Sequence, residues 1–413
     1  MNGSPQRILD RLSERVSALA LEAGFDAAGV AAAPEPGSPE DYAELRHFGP
    51  WIDAGRAGEM QYLKRADAAG RLRRSSLRIA IPWARSVIVC ASNYNTAAPR
   101  SIDPAPEDSG WIARYAWTGQ REPEGSAEDA LQPSDYHKVL LRRLQAVEAG
   151  LHAWLNAAEP NAVADFKSRC YVDTGPVVER VYAKYAGIGW VGKNTCILNE
   201  RLGSWLFLGV IVTSLDVDDR STTADCSGGG LPGENAAESQ PQRPYAAVTP
   251  DRCGSCTRCI EACPTRALTA PYQMDASLCI SYLTIEKRGE IPEALRPLMG
   301  RQVFGCDICQ DVCPWNRKSP IGADPRLESR TELVNPALEW LATLDDAEYA
   351  RVFCGSPVHR ARHPGLRRNV AIAMGNSGLR KFLPRLAEWR ASDDQILSEA
   401  AAWATAEIES TPV

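Results

Sequence analysis

No stretch of this 413-residue chain is apolar for long enough to cross a bilayer. The longest runs, such as Trp205 to Val212, fall far short of the roughly 20 residues a membrane helix needs. The opening segment MNGSPQRILDRLSERV has charges every few residues and lacks both an apolar core and a small-residue cleavage site. Export is therefore not expected, and a cytoplasmic location is. A strong excess of either charge sign is also missing. The 46 Lys and Arg against 52 Asp and Glu leave −6, so an RNA partner has to be met by a local basic surface. Nor is the composition that of a disordered chain, since 44% of residues are apolar and 24% charged. The length suggests two or three domains.

What the chain does have is cysteine. Thirteen are many for a chain with no export signal, because a reducing cytosol does not maintain structural disulfides. Five are scattered at Cys90, Cys170, Cys196, Cys226 and Cys354, and the other eight fall between 253 and 313. Cys253-x2-Cys256-x2-Cys259-x3-Cys263-Pro264 is the bacterial ferredoxin run, in which three thiolates wrap one [4Fe–4S] cube and the fourth reaches a second. The second run, Cys306-x2-Cys309-x3-Cys313-Pro314, lacks a cysteine at Val303, and Cys279 is the natural replacement. Crossing the fourth ligands assigns Cys253, Cys256, Cys259 and Cys313 to one cluster, and Cys263, Cys279, Cys306 and Cys309 to the other. Paired zinc sites are the alternative, but zinc needs neither the x3-C-P ending nor ligands interleaved in this order.

Around this block the periodicity alternates between helix and strand, which implies an α+β fold. A helix is expected over 5–23, ending near Gly24, and buried strands at Ser86 to Ala91 and Trp205 to Thr213. Ser134 is expected to cap a long helix carrying Val139, Leu140, Leu144, Val147, Leu151, Trp154 and Leu155 on one face. Thr118 to Pro133 and Asp216 to Pro250 are rich in Gly, Pro, Ser and acids and are expected to be mobile loops. Residues 365–409 suggest three helices, about the size of one HEAT unit. From Val358 to Arg390 eight basic residues stand against Glu388 alone, a local +7 that leaves −13 for the remainder. Such a run is commonly a solvated face, although on a helical unit it suits phosphate contacts. A short segment from Phe166 to Val172 is expected as a strand that places Asp173 at a strand end. On the residues alone, Asp173 is more readily a helix cap than a catalyst, and His137, at the start of a helix, is expected at the surface.

Three further segments carry a resemblance. Asp135-Tyr136-His137-Lys138, Val172-Asp173-Thr174-Gly175-Pro176 leading to Glu179-Arg180, and Ala186 to Asn194 (AGIGWVGKN) resemble the epoxyqueuosine reductases, and Cys279 to Glu286 (CISYLTIE) completes the match. The resemblance spans roughly 5–409. It implies a monomeric, cobalamin-dependent iron–sulfur oxidoreductase that takes electrons from an external donor. Its expected reaction is reduction of the epoxide of epoxyqueuosine at the tRNA wobble position to queuosine. It also implies a nitroreductase-like cobalamin-binding core at 1–215, an insertion at 216–250, a ferredoxin-like unit at 251–325 and a HEAT-like tRNA-binding region at 326–413.

By the same resemblance Asp173 is the acid that protonates the opening epoxide, its carboxyl kept neutral by a dry pocket. Arg74, Lys193, Asn194, Thr195, Ile197, Leu208, Ser281 and Asp307 match positions at the cobalamin. Lys287, Arg288, Arg367, Arg368, Arg380 and Lys381 are the candidate tRNA contacts. Two departures from the family stand out: the insertion between Trp117 and Asp135, and Ser134 where a basic residue is usual. A corrinoid reductive dehalogenase and a plain two-cluster electron carrier are the rival readings.

Overall fold

The structure, a computed structural model, describes residues 5–121, 131–158, 165–217 and 248–410. Most of the two expected loops, 122–130 and 218–247, lies outside the described residues. The ends of the first are strands rather than loop, since Thr118–Gln120 pairs antiparallel with Gln132–Pro133.

Four antiparallel strands form the central sheet: β1 (Ala27–Ala32), β2 (Ser86–Asn93), β3 (Ser168–Tyr171) and β4 (Leu206–Thr213), in the order β1-β2-β4-β3. β2 is buried along its whole length, as its unbroken apolar run requires of a central strand covered on both faces. The alternation of side chains divides the core in two. Ile88 and Cys90 face helix α1 (Pro5–Glu22) and the long helix α2 (Tyr136–Ala158), packing with Val16, Leu140, Leu144 and Val147. Val87, Val89 and Ala91 face α3 (Glu179–Tyr185), with Val181 and Tyr182. Gly209 lets α2 settle onto the sheet, because a Cβ there would lie 2.9 Å from the Leu144 methyl.

The cap of α2 is Asp135 rather than the expected Ser134. Asp135 Oδ1 accepts from the His137 amide at 3.0 Å, while the Ser134 hydroxyl donates to the Arg326 carbonyl at 2.9 Å. A carboxylate at that position satisfies an orphan N–H, so the serine is released to tie a distant segment.

A second core crosses the expected divisions of the chain. Trp111–Ile112 pairs in parallel with Gln302–Phe304, and Glu328–Ser329 pairs with Thr118–Gly119. Trp111, Ile112 and Trp117 then pack in one cluster with Ile280 and Leu283 of α4 (Ile280–Ile285) and with Val303 and Phe304. The same cluster takes in three C-terminal helices, α5 (Arg362–Ser377), α6 (Leu383–Arg390) and α7 (Gln395–Ser410). α5 is buried nearly all round, as expected of a central helix rather than an amphipathic surface one.

Candidate functional site

β3 ends at Tyr171, and two residues later Asp173 adopts φ 54°, a left-handed conformation that L-residues rarely take. The reversal turns its carboxylate onto the first turn of α2. Asp173 Oδ2 accepts from the Tyr136 hydroxyl at 2.5 Å and lies 3.2 Å from His137 Nε2. His137 Nδ1 is in turn 2.7 Å from Asp135 Oδ1. The capping role considered for Asp173 is excluded, since the N-cap of α3 is Val178 and no side chain caps it. Its side chain is 47% exposed, enough to meet a substrate.

His137 is therefore no plain surface residue. It stacks on Tyr136, which stacks on Phe207 of β4, with ring centroids 4.0 Å apart in both pairs. The sequence signal was an Asp two residues before a His at a helix start, a spacing that lets the cap also hold the ring. Burial lowers the His137 pKa, but the bonds to Asp135 and Asp173 outweigh it and raise the value to about 9. Burial pushes Asp173 up, yet His137, Tyr136 and the charge of Arg180 hold it below the ordinary carboxylate range. Near neutrality the proton of this pair rests on the imidazole. The expectation of a neutral Asp173 is thus corrected: a fixed cation neighbours the carboxyl in place of a purely apolar wall.

Around the pair, Arg180 is reached by solvent while ringed by protein, and its Nη1 donates to the Thr195 carbonyl at 3.0 Å. Burial and the Asp173 charge push Glu179 up to about 7, and its Oε1 has no hydrogen-bond partner among the described residues. Arg74 donates to the Val177 carbonyl at 3.2 Å with its guanidinium 5.8 Å over the Tyr62 ring, which ties it to the segment between Asp173 and α3 and so to the surround, or recess, of the pair. Leu208 of β4 is partly exposed near the same wall.

Other residues expected at the cofactor point elsewhere. Trp190–Val191 and Ile197–Leu198 form a hairpin whose turn carries Lys193 and Asn194. Lys193 Nζ donates to the carbonyls of Gly254 at 2.5 Å and Cys256 at 3.1 Å, so its side chain serves a cysteine loop and not the recess. Asn194 Nδ2 reaches the Cys309 carbonyl at 3.4 Å. Thr195, at φ 64°, has its carbonyl taken by Arg180, and Ile197 is buried in the sheet core. The Ser281 hydroxyl and amide turn to the Cys279 thiol. Asp307 is 1% exposed, and its Oδ2 accepts from the Arg114 amide at 2.7 Å and Trp111 Nε1 at 3.2 Å. It buttresses the Trp111–Arg114 segment and has no open face for a ligand. The side chains of Lys193, Asn194 and Asp307 share one cause: they satisfy buried carbonyls and amides of adjoining segments.

The clustered thiols sort into two groups by mutual electrostatic influence. Cys259 feels Cys253 and Cys256, and Cys313 feels Cys253 and Cys259. Cys279 feels Cys263, Cys306 feels Cys279 and Cys263, and Cys309 feels Cys306 and Cys279. Cys309 is besides hydrogen-bonded to Cys196, a thiol outside both expected quartets. Amide donors reach the sulfurs from Ile260, Tyr282, Ile308 and Trp315, the N–H setting that an anionic iron–sulfur cube requires. Among the described residues no three His, Cys, Asp or Glu side chains converge on a single metal ion.

The chain is 38% identical over 322 residues to an epoxyqueuosine reductase of Synechocystis sp., covering 78% of this chain and 91% of that protein. It is 34% identical over 397 residues to one from Xanthomonas campestris pv. campestris, covering 95% of each. The chain belongs to the epoxyqueuosine reductase family. The family model described as Epoxyqueuosine reductase QueG, DUF1730 matches residues 74–174, from Arg74 to just past Asp173. A model of a 4Fe-4S double cluster binding domain matches 252–316, which contains all eight clustered thiols. A crystal structure of an epoxyqueuosine reductase with a tRNA-Tyr epoxyqueuosine-modified stem loop is similar at TM-score 0.72 and 26% identity, covering 97% of this chain and 91% of that one. A selenomethionine-labelled epoxyqueuosine reductase is similar at TM-score 0.73 and 25% identity, with the same coverage.

Among the basic residues expected at RNA, the fold makes one correction outright. Arg368 of α5 is 1% exposed and donates to the carbonyls of Leu283, Lys287 and Gly289 at 2.7–2.9 Å, so it cannot meet a phosphate. Lys287 pairs with Glu59, and Arg288 donates to the Ala361 carbonyl at 3.2 Å. Lys381 is exposed but paired with Asp108, Arg380 is exposed, and Arg367 lies 5.5 Å over the Trp389 ring. No helix among the described residues is long and apolar enough to cross a membrane.

Proposed function

We propose that this chain reduces the epoxide of epoxyqueuosine at the tRNA wobble position to queuosine, with cobalamin held beside Asp173 and fed through two [4Fe–4S] clusters. It works in the cytoplasm as a monomer supplied by an external electron donor. In this reading the sheet half, 1–215, is a nitroreductase-like cobalamin core. Residues 251–325 form the ferredoxin-like conduit, and 326–413 a HEAT-like unit that faces the tRNA. The observation that carries it is the Asp173–His137 pair, a proton store at a strand end linked through Arg180 to Cys309 of the eight-thiol block.

Removing the epoxide oxygen as water consumes two electrons and two protons. When bound, cobalamin supplies a strongly reducing cobalt centre for the electrons. The protons are the chain's own task. His137, held by Asp135, passes its proton to Oδ2 of Asp173, which delivers it to the departing oxygen, and the second proton comes from solvent. In this reading Arg74, Glu179, Arg180 and Leu208 would hold the corrin. The unpartnered Glu179 Oε1 is an acceptor for a corrin amide, which is the fit the recess offers.

A two-cluster electron carrier would leave the Asp173 pair without a task, and a dehalogenase would have no use for an RNA-facing surface. The deciding experiment is anaerobic turnover of an epoxyqueuosine-bearing anticodon stem loop by protein assayed for iron and cobalt. About eight iron per chain are expected from two cubes, with queuosine as product. Cys279→Ala should lose one cube selectively. Cofactor-loaded protein that leaves the stem loop unreduced refutes the reading.

A further inference from the structure

The hairpin of Trp190–Val191 and Ile197–Leu198 belongs to the sheet half, yet its polar groups are directed at the first thiol quartet. Trp190 is 1% exposed, and its indole Nε1 has no hydrogen-bond partner among the described residues. A buried indole N–H without an acceptor is costly. The indole packs in one cluster with Cys253 and Cys313, two ligands of the first quartet. Trp190 meets Trp315 edge-on at 4.9 Å and packs with Leu198, Cys313 and Cys253, so water is kept from this side of the quartet. Lys193 is 8% exposed, and its ammonium is locked onto the carbonyls of Gly254 and Cys256, which flank two ligands of the same quartet.

We infer that this hairpin sets the reduction potential of the first cluster: the unpartnered indole N–H packed against its cysteines and one immobilised cation stabilise its reduced form. Adding an electron to a cube raises its negative charge, and N–H···S bonds, a nearby cation and exclusion of solvent each change that cost. The hairpin also reaches the recess, since Arg180 holds the Thr195 carbonyl. The element beside the chemistry thereby tunes where electrons enter. The inference rests on the two-cluster reading of the chain and goes beyond it to name the tuning residues.

The test is an anaerobic redox titration of wild type, Trp190→Phe, Lys193→Met and the double variant, followed by electron paramagnetic resonance with iron counted in each. Phe keeps the ring and removes the N–H, and Met keeps the stem and removes the charge. One of the two cluster midpoints should move to more negative potential while the other stays. In the double variant the ratio of reduced to oxidised cluster at fixed potential should fall about tenfold, ~59 mV for one electron. A second measurement, on wild type alone, guards against variants that fail to fold: a reduced cluster should show an exchangeable proton coupling that labelled tryptophan assigns to an indole N–H. Unmoved midpoints at full iron content, or no indole coupling, overturn the inference. Protein that assembles no cubes at all would instead overturn the two-cluster reading beneath it.

Discussion

At the Asp173 recess, residues from the end of β3 and the start of α2 converge until Tyr136, His137 and Asp173 share hydrogen bonds. Along Val358 to Arg390 the opposite happens. Eight basic residues close together in sequence are dispersed by the fold, with Arg368 of α5 buried against the Leu283 carbonyl, Arg360 paired with Glu286, Lys381 with Asp108 and Arg385 with Glu388. A local charge count therefore overstates the RNA-facing surface, whereas a lone acid and an unremarked histidine understate the reactive one. Proximity in the chain and proximity in space carry different information about charge.

The comparison breaks most visibly at Arg368. Arg368→Ala strands three carbonyls, each worth about 1–3 kcal/mol when left unsatisfied, so the variant should show a large fall in thermal midpoint by calorimetry. If it instead folds like wild type and only weakens tRNA binding, the buried assignment is wrong. Next in size is Asp173→Asn. Loss of general acid catalysis should lower turnover about 10²- to 10⁴-fold while iron content and corrin spectra persist. Full turnover would reduce Asp173 to a bystander of the recess.

His137→Gln sharpens the same side. Turnover should fall about tenfold, within the range for an assisting acid–base group, and the pH profile should change shape. Because the folded-state pKa of His137 is raised from 6.5 to about 9, its stabilising interaction is fully present below 6.5 and is lost as the pH rises through about 9. Wild-type kcat/KM should decline through that upper value, and the Gln variant should lack the decline. Asp173 behaves conversely, its contribution being present above 3.8 and lost on acidification. The smallest effect belongs to the basic face. Arg367→Ala, Arg380→Ala and Lys381→Ala together should leave both cofactors in place and reduce the slope of log affinity against log salt by about 0.7 to 0.9 per lost phosphate contact. Identical titrations of a stem loop by wild type and the triple variant would place the RNA elsewhere on the molecule.

Much of the architecture is legible along the chain. The run from Ser86 and the run to Thr213 become neighbouring strands, and the apolar face of α2 is buried as its 3.6-residue period requires. Asp173 emerges at a strand end. Illegible were its partner His137, the preference for Asp135 over Ser134 as cap, and the direction of Lys193, Ser281 and Asp307, all of which turn to the cysteine loops and their surroundings.

The sequence by itself determined the double-cluster block, because its short cysteine spacings are a local motif. It likewise determined the helices and central strands, whose periods are local properties of the backbone. Only the tertiary structure decided which basic residues face solvent, where the proton of the Asp173 pair rests and which cluster the Trp190 hairpin addresses. Those outcomes depend on which distant carbonyl, carboxylate or sulfur is brought within hydrogen-bond reach, and no local period encodes that.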